Sequence, residues 1–267
     1  MPKHAFEMVP LPPARSTEKP RKTGLTMMMD WGMPMGQLAD VLDLVAPFVD
    51  LGKLVAGHAR LYTEDQLVRK IELFQRHRIR PFLGGQFLEY VFATQSWQGI
   101  IPYCREVKRL GIEAIEVSDN CVPLTDDERK RMIAMVADTG VEVHGEVGSK
   151  DVKQTDADLV RQANICFDAG ADVVLVEAAE LMIDGEVQRD LLNALRDGLD
   201  FSRVIIELPG PWIKGTTLND VIELQKFLIT EFGPDVNIAN VQHDSVFNLE
   251  ALRVGLSFLG PKTVVPH

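Results

Sequence analysis

Three stretches of this chain run apolar and then stop on a glutamate: VEVHGE at Val141 to Glu146, ADVVLVE at Ala171 to Glu177, and RVIIE at Arg203 to Glu207. Carboxylate oxygens are hard donors. Two or three of them converging suffice for a Mg²⁺ ion that keeps waters or substrate oxygens in the rest of its octahedral shell. Zinc is disfavoured, because no histidine pair stands at ligand spacing. Three acids brought together also repel one another unless a cation lies nearby. Two lysines are placed to supply it. Lys53 closes the apolar run VDLGK, where a charge needs a partner, and Lys150 lies in the loop GEVGSKD just after Glu146. A lysine in such a place can act as general acid or base, or neutralise a substrate anion.

The three glutamates are roughly thirty residues apart, about the length of one strand plus one helix in a (β/α) repeat. From Gly24 onward, short β-type runs alternate with longer helical ones, which argues for parallel strands joined by crossover helices. Eight runs qualify as strands: Gly24 to Asp30, Val49 to Lys53, Arg80 to Gly84, Ala114 to Ser118, Val141 to Glu146, Ala171 to Glu177, Arg203 to Glu207 and Val236 to Ala239. Eight strands and 267 residues suit a single α/β domain, a (β/α)8 TIM barrel, over a doubly wound sheet. No G-x-G-x-x-G follows the first strand, and no P-loop motif occurs. Thr125 followed by Glu128 reads as a capping box, and Gly111, Gly140, Gly170 and Gly233 suit helix C-terminal turns. Residues 1–22, rich in proline and mixed charge, read as an N-terminal arm, flexible or packed on the surface, with the barrel over 23–267.

In such a barrel the C-terminal strand ends surround one pocket, so the polar residues there are site candidates. They are Asp30, Lys53, the pair Gly84-Gly85, Asp119 and Asn240, with His58 and Arg60 as anion contacts. The glycine pair permits close backbone approach or a positive φ. Cys104, Cys121 and Cys166 form no C-x-x-C pair, which fits a reducing cytoplasm better than a disulfide framework. A net charge of −11 repels a phosphate backbone on average and no Lys/Arg stripe interleaves with aromatics, so the expected partners do not include nucleic acid. No apolar run approaches the ~20 residues of a membrane span.

Taken in order, GLTMMMDWGMP, VDLGKL, GGQFLEY, IEVSD, GEVGSK, DAGADVVLVEAAE, VIIELP and VNIANVQHDSVFNLEALRVGL resemble the phosphosulfolactate synthase family. The resemblance covers nearly everything after the arm. It implies a TIM-barrel lyase that adds sulfite to phosphoenolpyruvate with Mg²⁺, a step used in coenzyme M biosynthesis. It assigns Lys150 as proton donor, Lys53 as the strand-end lysine, and Asp30, Glu146, Glu177 and Glu207 as the strand-end acids. Homo-oligomers are common among such barrels. The chain departs from the family pattern at Gly57-His58-Ala59, where a Gly-Thr-Ser type turn is usual, and at Ala178-Ala179, where an arginine follows the glutamate. A plant heat-stress relative keeps the barrel where catalysis is not established.

Overall fold

The computed structural model describes residues 5–11, 15, 18–148, 156–177, 181–183 and 186–259. Eight parallel strands close into one barrel: β1 (Thr26–Asp30), β2 (Leu51–Leu54), β3 (Arg80–Leu83), β4 (Ala114–Val117), β5 (Glu142–Val147), β6 (Val173–Glu177), β7 (Val204–Glu207) and β8 (Ile238–Val241). The strands follow chain order around the barrel, and β1 pairs with β8 to shut it. Each expected strand is present. The last one is shifted, running from Ile238 rather than Val236, with Asn237 turned to hydrogen-bond the chain before β1.

The helices are α1 (Met35–Val45), α2 (Glu64–Arg76), α3 (Gly85–Gln95), α4 (Ile100–Arg109), α5 (Asp126–Ala137), α6 (Asp156–Asp168), α7 (Arg189–Gly198), α8 (Leu218–Phe232) and α9 (Val246–Arg253). Local chemistry starts and stops them. Thr125 caps α5 reciprocally with Glu128, and Thr63 and Thr217 do the same for α2 and α8. Gly111, Gly140, Gly170 and Gly233 all take the positive φ that ends a helix without a Cβ clash. One helix lies outside the sequence expectation: Gly85 to Gln95 winds directly after β3, and a short 3-10 turn then joins it to α4. Between β6 and α7 the chain makes a small antiparallel hairpin, Met182–Ile183 with Glu186–Val187. Among the described residues no helix is long and apolar enough to cross a membrane.

Packing separates into two shells. Leu25, Met27, Leu51, Phe82, Ala114, Leu175, Ile205 and Ala239 fill the barrel interior, while a larger cluster lies between strands and helices. Small residues on the outer face let helices approach: a Cβ on Gly145 would meet Cys166 of α6 at 2.9 Å. Three basic residues of the arm, Arg15, Lys19 and Arg21, reach the N-terminal strand ends. Arg15 bonds the carbonyl of Gly24, Asp235 and Glu250; Lys19 bonds the carbonyls of Ala46, Val49 and His77; Arg21 pairs with Asp50. All but Glu250 precede β1, β8, β2 or β3, at the end of the barrel opposite the strand C-termini.

Candidate active site

Strand side chains alternate between two faces, and the interior residues of the barrel fix which positions point inward. Two residues beyond Leu51, Ala114, Leu175 and Ile205 come Lys53, Glu116, Glu177 and Glu207. Two beyond the buried His144, whose ring packs on Phe82 at 4.8 Å between centroids, comes Glu146. The same parity that fills the barrel with apolar side chains therefore delivers a lysine and four glutamates to its C-terminal mouth. All five are buried.

A cleft of about 240 Å³ opens there, lined by Met29, Trp31, Lys53, Val55, Ala56, Gly84, Gly85, Gln86, Glu116, Asn120, Glu146, Glu207, Trp212 and Asn240. The Lys53 ammonium lies 2.7 Å from Glu116 Oε2 and 3.0 Å from Glu207 Oε1, and reaches Asn240 Oδ1 at 3.4 Å. Burial alone would lower its pKa, but the charges of Glu116, Glu207 and Glu146 overcome that and hold it above the ordinary ammonium value. Burial likewise pushes the Glu116 carboxyl upward, and Lys53 together with the Gly85 amide (2.9 Å) outweighs it, leaving the group below the usual carboxylate range. Asn120 donates its side-chain amide to both oxygens of Glu146, at 3.0 and 2.9 Å. That asparagine is presented by a loop that Glu89 of α3 ties down: its buried carboxylate accepts from the Ser118 hydroxyl and from the amides of Asn120, Cys121 and Val122.

Glu146, Glu177 and Glu207 each offer a carboxylate oxygen within 4.8 Å of the others. These three carboxylates would hold a divalent cation there, with water or substrate oxygens completing its shell. The donor set contains only oxygen, which fits Mg²⁺ and not a thiolate- or imidazole-seeking metal. Such an ion would share Glu207 with Lys53.

The other sequence candidates divide. Gly84 and Gly85 line the cleft through close approach and not positive φ: a Cβ on Gly85 would meet Ser118 Oγ at 2.1 Å, and Gly84 has φ −64°. Asn240 lines it because φ of 58° breaks the strand alternation and turns the side chain inward. Asp30 does not line it. Having the opposite parity to Met29, it points outward to Lys70 of α2 at 2.5 Å and accepts from the amides of Gly32 and Met33 at 2.8 Å. Asp119 also turns away, pairing with Arg129 at 2.7 Å. Arg60 lines neighbouring surface cavities, and His58 touches the cleft only through the Trp31 ring, 5.9 Å between centroids. Lys150 and the Ala178-Ala179 departure lie outside the described residues. Glu116 and Asn120 are the site residues that strand ends alone did not reveal. A glutamate inside the apolar run AIEV, in register with inward positions, is the signal that points to Glu116.

Residues 14–258 match the family model described as (2R)-phospho-3-sulfolactate synthase. The chain belongs to the phosphosulfolactate synthase family. The phosphosulfolactate synthase of Methanothermobacter thermautotrophicus is 32% identical over 264 residues, covering 95% of this chain and 96% of its own length. HEAT-STRESS-ASSOCIATED 32 of Arabidopsis thaliana is 23% identical over 264 residues, 88% of this chain and 87% of its own. Among solved structures the YdjI aldolase from Escherichia coli K12 superposes with a TM-score of 0.54 over 84% of this chain and 76% of that one, at 14% identity, a likeness of fold alone. As a member of the phosphosulfolactate synthase family the protein is a lyase of the carbon–sulfur type carried on a (β/α)8 barrel.

Proposed function

We propose that this protein catalyses a Mg²⁺-dependent addition of sulfite to an enolic acid, with phosphoenolpyruvate as the acceptor that family membership favours. The observation that carries the reading is the convergence of Glu146, Glu177 and Glu207 within 4.8 Å beside the Lys53–Glu116 pair. Sulfite sulfur bonds to the terminal carbon of the enol double bond, its electron pair moves toward the carboxylate, and a proton is delivered to the adjacent carbon. A bound Mg²⁺ would supply Lewis-acid stabilisation of the enediolate charge. Lys53 holds a fixed positive charge at the floor of the cleft, where low dielectric strengthens its effect on developing negative charge. Asn120 keeps the Glu146 oxygens aimed inward, and the Gly84-Gly85 backbone leaves room for the acceptor. The proton is assigned to Lys150 by the family resemblance. The three free thiols support a reducing, cytoplasmic setting.

The test is direct. Purified protein with Mg²⁺, sulfite and phosphoenolpyruvate is expected to give a sulfonate product by mass spectrometry, with the rate abolished by chelator and reduced by about a hundredfold or more in Glu177→Gln. Product formation undiminished by chelator would remove the metal from the reading. A second reading, a different enolic acid as acceptor, is favoured by Trp31 and Trp212 in the cleft wall.

A further inference from the structure

The cleft is lined by two unlike kinds of side chain: Lys53 with the glutamates, and two indoles, Trp31 and Trp212, whose ring centroids lie 5.4 Å apart with planes tilted by 42°. Neither indole is a core residue. Trp31 is 43% exposed, and Trp212 is half-buried.

Both are nevertheless held in place. Trp31 follows Asp30, whose carboxylate fixes the turn through the amides of Gly32 and Met33, while Lys70 ties Asp30 to the Met33 carbonyl at 2.7 Å. Trp212 lies against Gly210, where any Cβ would fall 2.2 Å from the ring, and its turn is closed by the Ile213 amide on the Gly210 carbonyl. Turns that fix large apolar rings at a cleft wall, half-open to water, preorganise a binding surface. The face of an indole carries negative electrostatic potential, so it favours a flat apolar or aromatic group and disfavours a phosphate dianion. At about 240 Å³ the cleft lies just below the usual ~300–1,000 Å³ of ligand pockets, room for one ring and not for a nucleotide.

We infer that Trp31 and Trp212 determine specificity, and that the acceptor is an enolic acid without a phosphate that bears a flat apolar, preferably aromatic, substituent on the terminal carbon of its double bond. The carboxylate end of such an acid lies toward Lys53 and the acidic cluster; its ring lies on the indoles. This inference rests on the enolic-acid reading of the cleft and changes only the group the acid carries.

Calorimetric titration of the full chain in Mg²⁺ with phenylpyruvate, pyruvate and phosphoenolpyruvate tests it. Phenylpyruvate is expected to bind about tenfold or more tightly than either of the others. Trp31→Ala and Trp212→Ala should each erase that preference, and Trp31→Phe should keep most of it, which separates loss of the ring from loss of the fold. Phosphoenolpyruvate binding as tightly as phenylpyruvate, or a preference unchanged in both alanine variants, overturns the inference. Adding sulfite and following products by mass spectrometry tests the lyase reading separately. If the preference holds and no acceptor yields a sulfonate, the lyase reading fails while the inference stands. If the unsubstituted protein converts phosphoenolpyruvate to a sulfonate at least as fast as phenylpyruvate, the inference fails while the lyase reading stands.

Discussion

Lys53 surrenders its hydration at the top of β2 and in exchange donates to Glu207 and Asn240 and forms an ion pair with Glu116. Its role toward those acids is that of a counter-ion, and removing it leaves two buried carboxylates without it. Replacing Lys53 by Met is expected to lower stability by about 3–5 kcal/mol in chelator, and millimolar Mg²⁺ is expected to recover much of it, because one cation substitutes for another. Thermal unfolding with and without Mg²⁺ reads both. The raised pKa of Lys53 means its contribution is complete below the unfolded-state value and is lost only as pH climbs through the higher folded value, so it is constant at neutral pH. Acid sensitivity comes from elsewhere. Burial pushes the Glu142 carboxyl up, but His144 at 2.9 Å and Arg80 at 2.6 Å pull it down to about 2 from 4.5. A depressed folded pKa stabilises above the unfolded value, so this contribution disappears as pH falls from about 4.5 toward 2. Glu142→Gln is expected to flatten the pH dependence of stability across that window, measured by denaturant midpoints. Sequence reading reached Glu146, Glu177 and Glu207 because each ends an apolar run. It missed Glu116 because Val117 and Ser118 follow it, and it placed Asp30 in the pocket because position in the strand was weighed without parity.

At the scale of elements, strand order and number were legible because most crossovers bring their own stop signal, a glycine or a capping threonine. Helix α3 was not. GGQFLEY opens on two glycines, which read as loop chemistry, whereas in the barrel the first caps the helix and the second gives its amide to Glu116. That helix supplies Glu89, the anchor of the loop from Ser118 to Val122, and so connects a helix interior to Asn120 and thence to Glu146. Glu89→Ala leaves three backbone amides and a hydroxyl without their acceptor. The expected result is faster hydrogen exchange at residues 120–122 and weaker Mg²⁺ binding by calorimetry, with exchange in β6 and β7 unchanged. Exchange that slows nowhere and quickens nowhere would detach the loop from Glu89. The same loop carries Cys121, the exposed cysteine, while burial raises the thiols of Cys104 and Cys166 to about 11. Brief alkylation of the native protein is expected to label Cys121 and spare the other two.

For the molecule as a whole, the two ends of the barrel are assigned different work: chemistry at the strand C-termini, fastening at the N-termini. Arg15→Ala breaks a buried contact with Glu250 and is expected to lower the melting temperature while leaving Mg²⁺ and acceptor binding at the cleft unchanged. A loss of binding equal to the loss of stability would contradict that separation. The fastening also has a consequence for the order of assembly. Strand β1 finds its second neighbour only in β8, and Arg15 finds Glu250 across 235 residues of chain. On the ribosome, then, the first strand emerges long before β8, and the nascent sheet keeps an open edge until β8 has left the exit tunnel. Until that moment the growing polypeptide is a sheet with two raw borders, exposed to the same edge-to-edge pairing that closure abolishes.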